Sequence, residues 1–451
     1  LLEAVGQDLA YTLRGMRRAP GFTVAVALTL ALGIGANATM FGVIDHLLLS
    51  PPAHVVDADE VVRIQIHRVS PFTGEPAVMP VMTFPDYMDF ASAGTLSSVA
   101  AFGTETVILG RGDDAIRVEA LFGTASFYPL LGVSPALGRF PSELEDSRSS
   151  AEVVVLSHAL WKTRYGGSRE VIGRTVSIGN GMYTVVGVAP EGFNGVDLDP
   201  VDLFLPIHAY TVQSGTDRWI DGRGYWWIRA LARVSPSSSR VAAAEEATAL
   251  HLNGRRDLIE EGRYQDDARV VLGSIKAALG PHAPGEVQVA RWLAGVTLIV
   301  LLIACANVAN LLLARGARRR RELGIRGALG ISRRRLMGQL LLESCILALF
   351  GGTLGLAVAY WGGELMRAVF LPSVAWPSSP VDGRVLLFTL ALAGGTGLLA
   401  GTAPAFRGSR SGVVEALKEG GRGGTRRTSG GQSVLLIVQA ALSVVLLVGA
   451  G

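Results

Sequence analysis

The chain has 451 residues, 49% of them hydrophobic, and its mean hydropathy is +0.38. This composition is too apolar for an ordinary soluble enzyme of this length. The formal net charge is only +3, which gives no bulk electrostatic case for binding nucleic acid. Both cysteines, Cys305 and Cys345, lie in apolar runs, so the polar stretch between residues 51 and 288 must fold without disulfides.

Long apolar runs predict the membrane-spanning segments. Four complete runs occupy residues 22–49, 292–314, 336–366 and 385–406, and an incomplete fifth begins at residue 433 and reaches residue 451. At about 1.5 Å per residue, the first run exceeds the ~30 Å hydrocarbon core of a bilayer. A cleaved signal peptide has an apolar core of only about 7–15 residues, so the first run is predicted to be a retained span.

The distribution of basic residues predicts the orientation of these spans. Segments 1–21, 315–335 and 407–432 together hold 18 Lys/Arg against 5 Asp/Glu, whereas residues 51–291 hold 21 against 29. Basic segments flanking spans stay in the cytosol. We therefore predict a cytosolic amphipathic N-terminal segment, a cytosolic loop at 315–335 and a cytosolic basic linker at 407–432. Residues 50–291 and the short loop 367–384 are predicted to lie outside.

The large outer loop has mixed secondary-structure patterns. Alternating apolar residues predict strands at 61–67, 183–188 and 226–234, with a hairpin turn at 180–182. Helical patterns cover 85–92, 157–166 and 239–262. No metal-binding or nucleophile-elbow motif occurs, which favours a structural or binding role over enzyme chemistry. The predicted fold class is a membrane α-helical bundle, with four complete spans plus a partial fifth, and an extracytoplasmic α+β domain inserted between spans one and two.

A few polar residues lie inside the predicted spans. Glu343 is about one turn into the third span, and Asp45 is near the outer end of the first. Ionisable groups in spans deserve a functional hypothesis, but no deep chain of acids links them, so pairing with a basic group at the membrane edge is favoured over a proton relay. Asn307 and Asn310 are expected to form hydrogen bonds with neighbouring helices.

Glycine occurs in two different patterns. The glycine-rich stretch 420–431 lacks the lysine and the preceding strand of a phosphate-binding loop, so it is predicted to be a flexible linker. No such loop occurs elsewhere, and neither ATP hydrolysis by that route nor a cofactor is expected of this chain. The pairs Gly351/Gly355 and Gly397/Gly401 permit close helix approach, and packing within the chain is favoured over dimerisation.

The segment ARRRRELGIRGALGISRRRL, residues 317–336, carries eight arginines and one acid between two apolar runs. Glycines at positions 324, 327 and 330 would each destabilise a long helix by about 1 kcal/mol relative to alanine. A short, bendable element is therefore predicted, with small apolar residues held at the membrane surface. From the residues alone, a topogenic loop touching anionic lipid and a docking element for a cytosolic partner fit equally well.

Several stretches together resemble the MacB/FtsX-like ABC transporter permease family. The segment RRRRELGIRGALGISRRRLMGQLLLES, residues 318–344, is similar to the signature of that family. So are ACANVANLLLAR at 304–315, residues 128–140 and 153–193 of the outer loop, and TAPAFRGSRSGVVEALKEG at 402–420. The resemblance covers nearly the whole chain. It identifies the outer loop as a MacB-like periplasmic core domain.

The resemblance implies a non-catalytic permease of the bacterial inner membrane. Such proteins have four core spans, work as dimers with a separate or fused ATPase, and transmit force across the membrane for export or efflux. A fused ATPase is not expected, so the expected partners are a separate ABC ATPase, membrane lipids and a second permease half or protomer. The arginine segment would be the coupling loop against the ATPase, through Glu322, Gly324, Arg326, Ala328, Leu329 and Gly330.

Two departures and two alternatives accompany this interpretation. Gly327 stands where the family often has a bulkier residue, and residues 433–451 resemble the first span of a second permease half, as in duplicated, pseudo-dimeric members. One alternative is an FtsX-like signalling or scaffold protein, but the outer loop is large for that class. The other is an ion-driven transporter, which the scarcity of buried charges and the lack of broken helices disfavour.

Overall fold

The computed structural model describes residues 16–45, 50–69, 74–147, 152–197, 199–276, 285–318, 333–370 and 381–410, with isolated positions near both ends of the chain. The chain divides into two compact units. The membrane unit comprises residues 1–45, 288–372 and 378–451, and the loop domain comprises residues 46–287 with 373–377.

The helices, in chain order, are α1 Pro20–Ile44, α2 Phe84–Ala91, α3 Phe127–Leu131, α4 His158–Tyr165, α5 Tyr210–Ser214, α6 Arg218–Asp221, α7 Arg240–Gly254, α8 Arg256–Glu260, α9 Gly285–Arg318, α10 Arg333–Phe370 and α11 Gly383–Arg410. The strands are β1 Val61–Val69, β2 Pro76–Met79, β3 Leu96–Leu109, β4 Ile116–Gly123, β5 Leu137–Gly138, β6 Val153–Leu156, β7 Thr175–Ile178, β8 Gly181–Val188, β9 Leu203–Pro206, β10 Arg229–Val234 and β11 Arg269–Ser274.

Three helical segments are long and apolar enough to span a membrane: Pro20–Ile44, Ala294–Arg315 and Met337–Leu365. A fourth apolar segment, Gly383–Leu399 of α11, is shorter. The fourth complete span therefore remains a prediction. The partial fifth span at 433–451 lies outside the described residues, apart from four isolated positions.

Small residues let the membrane helices approach closely. A Cβ atom added to Gly351 of α10 would lie 2.5 Å from Cβ of Leu30 in α1, and one added to Gly35 would lie 2.7 Å from Cβ of Val358. A Cβ on Gly397 of α11 would lie 3.0 Å from Cβ of Ala348. These glycines therefore serve packing between helices of the same chain, the use favoured for Gly351 and Gly397. The packing around Gly401 lies outside what the structure describes.

The loop domain is built on one mixed sheet with the strand order β11-β1-β10-β3-β4-β9-β6-β8-β5, to which β2 and β7 add at β1 and at β3/β8. Most neighbouring strands are antiparallel, but β4–β9 and β6–β8 are parallel. The predicted hairpin is confirmed, because Ile178 of β7 pairs with Gly181 of β8.

The sheet separates two apolar clusters. Alternate side chains of a strand point to opposite faces, so in β3 Val99 and Ala101 join one cluster while Ala100 and Phe102 join the other. Helices α2 and α7 cover the first face. The helix predicted at 239–262 is wrong as a single element, because it breaks at Arg255, whose φ of −111° and ψ of 12° are not helical.

Candidate functional site in the membrane unit

The predicted coupling segment lies outside the described residues. Helix α9 ends at Arg318 and α10 begins at Arg333, and the six predicted coupling positions fall between these bounds. They are Glu322, Gly324, Arg326, Ala328, Leu329 and Gly330. Their role remains a prediction. The structure describes the helix ends on either side of this segment.

An ion pair joins the helices that flank the coupling segment. Nη1 of Arg315 in α9 lies 2.6 Å from Oε1 of Glu343 in α10, and both side chains are 11% exposed. The guanidinium carbon of Arg315 also lies 4.5 Å from the ring centre of Phe22 in α1. Cation–π contact of this kind stabilises a partly desolvated arginine. Three helices therefore meet around Arg315, and the basic partner expected for Glu343 is this residue.

The interhelical hydrogen bonds predicted for Asn307 and Asn310 stay predictions. The amide oxygen of Asn310 is buried without a hydrogen-bond partner among the described residues. Asn37, which sequence reasoning did not single out, makes an interhelical bond. Its Nδ2 donates to the carbonyl oxygens of Thr297 in α9, at 2.8 Å, and of Gly33 in its own helix, at 2.9 Å.

A second polar contact lies where α1 ends and α11 begins. Nη1 of Arg384 lies 3.2 Å from Oδ1 of Asp45, whose side chain is 8% exposed. One turn further into the helices, the rings of Phe41 and Phe388 stack with centroids 4.1 Å apart. Asp45 was predicted to lie near a span end and to pair with a base, and Arg384 is that base. Helix α1 is thus held to α9, α10 and α11 by different side chains.

The loop domain has a buried ionic cluster around Asp86 of α2. Its carboxylate accepts hydrogen bonds from Thr83, which caps α2, and from Arg223 at 3.1 Å. Arg255 donates through Nη2 at 2.5 Å and through Nε at 3.0 Å, and His251 Nδ1 lies 3.3 Å away. Burial by itself raises the pKa of Asp86, but His251 and Arg255 outweigh it, so the pKa lies well below its ordinary value.

Asp197 is the centre of a second ionic cluster. Arg63 Nη2 lies 2.8 Å from Oδ1, and Arg229 pairs with the other oxygen. Burial by itself raises the pKa of Asp197. The charges of Arg63 and Arg229 lower it by a larger amount, so the pKa lies below its ordinary value. Both acids are therefore held ionised as structural anions. The described residues contain no group of three or more His, Cys, Asp or Glu side chains that could hold a metal ion.

Comparison with known proteins identifies the family. Residues 23–250 match the MacB-like periplasmic core domain, and residues 294–413 match the FtsX-like permease C-terminal domain. The chain belongs to the MacB/FtsX-like ABC transporter permease family. The first match covers most of α1 and of the loop domain, and the second covers the helices that carry the Arg315–Glu343 pair. Both units of this MacB/FtsX-like permease are thus represented.

Relatives with assigned names include export proteins. The macrolide export ATP-binding/permease protein MacB of Nitrosomonas europaea is 27% identical over 370 residues, covering 80% of this chain and 47% of the relative. The pyoverdine export ATP-binding/permease protein PvdT of Pseudomonas entomophila is 25% identical, covering 65% of this chain and 42% of its own length. This MacB/FtsX-like permease chain therefore spans about half the length of the relatives it matches.

Solved structures of transporter domains are similar to about half of this chain. The extracellular domain of the noncanonic ABC-type transporter YknZ from Gram-positive bacteria is 13% identical, with a TM-score of 0.36 over 47% of this chain and 99% of that one. The periplasmic region of MacB from Actinobacillus actinomycetemcomitans is 15% identical, with a TM-score of 0.34 over 48% of this chain and 92% of that one.

Proposed function

We propose that this chain is the permease subunit of a mechanotransmission-type ABC exporter. A separate ATPase would hydrolyse ATP in the cytosol, and the chain would convert that work into movement of the loop domain. The observation that carries the proposal is the Arg315–Glu343 pair, stacked on Phe22. It links the two helices that flank the predicted coupling segment to α1, the helix that leads into the loop domain.

The chain order supports transmission in both directions along the membrane helices. Helix α1 ends at Ile44, and the loop domain begins at residue 46. Helix α9 begins at Gly285, within the last residues of the loop domain, and continues to Arg318 beside the coupling segment. A displacement of the coupling segment would thus reach the loop domain covalently through α9, and through α1 by way of Arg315 and the Asn37–Thr297 hydrogen bond.

The arrangement of the chain in the membrane is part of the same proposal. Four complete spans and a partial fifth would cross a bacterial inner membrane, with the N terminus in the cytosol and the loop domain outside, as the basic segments predict. The names of the relatives favour export or efflux as the task. The partners would be a separate ABC ATPase, membrane lipids and a second permease half or protomer, and the chain itself would not be catalytic.

Copurification from native membranes tests the coupling role. The tagged protein is isolated as wild type, as Glu322→Lys and as Leu329→Asp, and copurifying ABC ATPase subunits are identified by mass spectrometry. We expect the wild type to retain an ATPase and both variants to lose at least nine-tenths of it, because each places an unfavourable charge on the docking surface.

Matched controls separate docking from folding. Asp267→Lys and Val241→Asp make the same kinds of change at exposed positions of the loop domain, where Val241 is 69% exposed. They should retain wild-type amounts of ATPase at equal expression. If no ATPase copurifies with the wild type, or if both coupling variants keep it, the coupling role is wrong and the FtsX-like scaffold role becomes the better interpretation.

A further inference from the structure

The eight residues that precede β1 are attached to the loop domain by hydrogen bonds. Residues 53–60 form turns, with no helix or strand among them. Nε2 of His54 donates a hydrogen bond to the carbonyl oxygen of Glu191 at 2.7 Å. The backbone nitrogen of Val56 donates to the carbonyl oxygen of Leu131 in α3 at 2.9 Å. We call residues 53–60 the clasp, because they hold the start of the domain against distant parts of its fold.

Three basic side chains hold the second half of the clasp. Nζ of Lys276, which follows β11, lies 2.7 Å from Oδ1 of Asp59. Nη2 of Arg240, at the start of α7, donates to the carbonyl oxygen of Asp59. Nη1 of Arg233 in β10 lies 3.2 Å from Oε2 of Glu60. The clasp therefore contacts elements from four separate parts of the domain.

These contacts are individually weak, because the clasp is largely exposed. The side chains of Asp59 and Glu60 are 85% and 71% exposed, and Val56 is 50% exposed. Exposed ion pairs contribute little to stability. Val55 and Ala58 pack against an apolar cluster of the domain, but both are only partly buried. A segment with so few buried apolar contacts has a low local stability.

Two residues of the clasp also have a backbone conformation that side chains disfavour. His54 has a φ of 66° and Asp57 a φ of 48°, and no other non-glycine residue in the described part of the chain has a positive φ. This left-handed region is unfavourable for a residue with a Cβ atom, although His and Asp tolerate it better than most. Such strain persists only where surrounding contacts hold it. Strain and weak contacts together favour opening of the clasp before the sheet unfolds.

The chain just before the clasp is stiffer than the clasp itself. Pro51 and Pro52 precede it directly, and the proline ring fixes φ. Proline-rich segments are extended and semi-rigid, so they have little length to release. The clasp, by contrast, is folded into turns, and once open it could extend to about 28 Å at about 3.5 Å per residue. Its opening would therefore add slack between α1 and β1.

We propose that the clasp is a conformational device that opens while the sheet stays folded, and that a displacement of α1 reaches β1 only when the clasp is closed. In the closed form, Lys276 and Arg240 connect the clasp to β11 and α7, so the domain moves with it. In the open form, residues 53–60 extend and absorb the displacement. The inference rests on the proposed permease function and specifies how transmission through α1 is controlled.

Amide hydrogen exchange of the solubilised chain tests the opening and requires no ATPase. The amide of Val56, although hydrogen-bonded, should exchange at least about 100-fold faster than the amides of residues 62–66 in β1. Asp57→Gly should slow this exchange by about fivefold, because glycine adopts a φ of 48° without strain. Asp57→Val should accelerate it, because a β-branched residue is strongly disfavoured at positive φ.

Asp217 provides the matched control for both substitutions. It is also exposed, but its φ is −100° and it lies in another part of the domain. Asp217→Gly and Asp217→Val should therefore leave exchange at Val56 unchanged. If the Val56 amide is protected as strongly as β1, or if the Asp57 variants exchange like the wild type, the proposal is wrong, whatever the function of the chain.

Exchange in the copurified complex with the ATPase tests the coupling. In the wild type, ATP with vanadate should change amide exchange in β1 by at least about threefold. Asp57→Val should abolish this change while the ATPase stays bound, and Asp217→Val should respond like the wild type. An unchanged response in Asp57→Val, or no response in the wild type, would overturn the proposal and leave the bound ATPase as support for the proposed function. Absence of an ATPase from the wild type would refute the proposed function, and with it the role of the clasp in transmission.

Discussion

Arg255 places Nη2 2.5 Å from Oδ2 of Asp86, although the two residues are 169 positions apart in the chain. Arg255 is only 2% exposed and Asp86 is fully buried, so the pair lies in the interior of the loop domain. The guanidinium carbon of Arg255 also lies 4.5 Å from the ring centre of Tyr264. The pair ties the first turn of α2 to the junction of α7 and α8, and it explains why the polypeptide leaves the helical conformation at Arg255.

Removal of one partner of this pair should destabilise the loop domain strongly. Arg255→Met leaves a buried carboxylate with fewer partners, and we expect the free energy of unfolding to fall by about 3–5 kcal/mol. The measurement is chemical unfolding of the detergent-solubilised chain, followed by tryptophan fluorescence. Arg263→Met is the control, because Arg263 pairs with Glu261 at the surface, where both side chains are more than half exposed. Its effect should stay below about 1 kcal/mol, and equal effects would contradict the prediction.

Stability should also depend on pH through Asp86. Because the folded pKa of Asp86 lies below its ordinary value of 3.8, the ionised group stabilises the folded domain above that pH, and this contribution is lost as the pH falls below it. The difference in Tm between wild type and Asp86→Asn should therefore be largest at pH 7, smaller at pH 3 and smaller again at pH 2. A difference that is constant across this range would show that Asp86 does not act through its charge.

Glu145 should also make the stability of the loop domain depend on pH, with a smaller effect on Tm than Asp86. Hydrogen bonds from Arg139 lower its pKa from 4.5 to about 2, partly opposed by burial. The pair lies near the surface, where Arg139 is 54% exposed. Its stabilising effect is therefore expected above pH 4.5 and lost toward pH 2, with less than half the change in Tm seen for Asp86. Glu145→Gln measured over the same pH series checks this, and a larger effect than that of Asp86→Asn would be inconsistent with it.

The Arg315–Glu343 pair should show coupling in the membrane unit. Arg315→Met and Glu343→Gln should each lower the thermal stability of the solubilised chain. The double variant should be less destabilised than the sum of the two by about 1 kcal/mol or more, because the second change removes a charge already left without its partner. Glu364→Gln, at an exposed position of α10, is the control and should be near neutral. Additive effects would mean that the pair contributes no net interaction.

Close packing of α1 against α10 should make Gly351 intolerant of substitution. Gly351→Ala puts a methyl group 2.5 Å from Cβ of Leu30, so a helix must shift, and we expect a loss of about 1–3 kcal/mol. Gly338→Ala is matched in chemistry and in helix, but nothing lies within 4 Å of the added methyl. That variant should be as stable as the wild type or slightly more stable, since alanine favours helix. Thermal unfolding in detergent distinguishes them, and equal stability would refute the packing argument.

The features that could be predicted from sequence are those set by local pattern. The long apolar run at 22–49 predicts helix α1, and the Asn-Gly-Met turn predicts the β7–β8 hairpin, because both signals lie within the element itself. The break at Arg255 could not be predicted in this way. The 239–262 pattern is helical throughout, and the residue that opposes it, Asp86, comes from a distant part of the chain.

For the polar contacts of the membrane unit, the sequence predicted the type of partner but not which residue it is. An acid one turn into a span requires a base at the membrane edge, which was expected for Glu343, but no local signal selects Arg315 among the many arginines nearby. Asn37 was missed because a single asparagine in an apolar run has no periodicity to mark it. Its partner, the carbonyl of Thr297, is 260 residues away. The only available signal was that an amide inside a span needs a donor or acceptor from another helix.

The glycine contacts between α1 and α10 also have a mechanical consequence. A Cβ on Gly355 would lie 3.2 Å from the backbone nitrogen of Gly35, so the two helix backbones touch with no flexible side chains between them. Such a contact deforms little, because it contains no side chains that could change rotamer to absorb a displacement. The two helices should therefore move together as a rigid pair. A force applied at the Arg333 end of α10 would then displace α1 with little deformation of the contact between them.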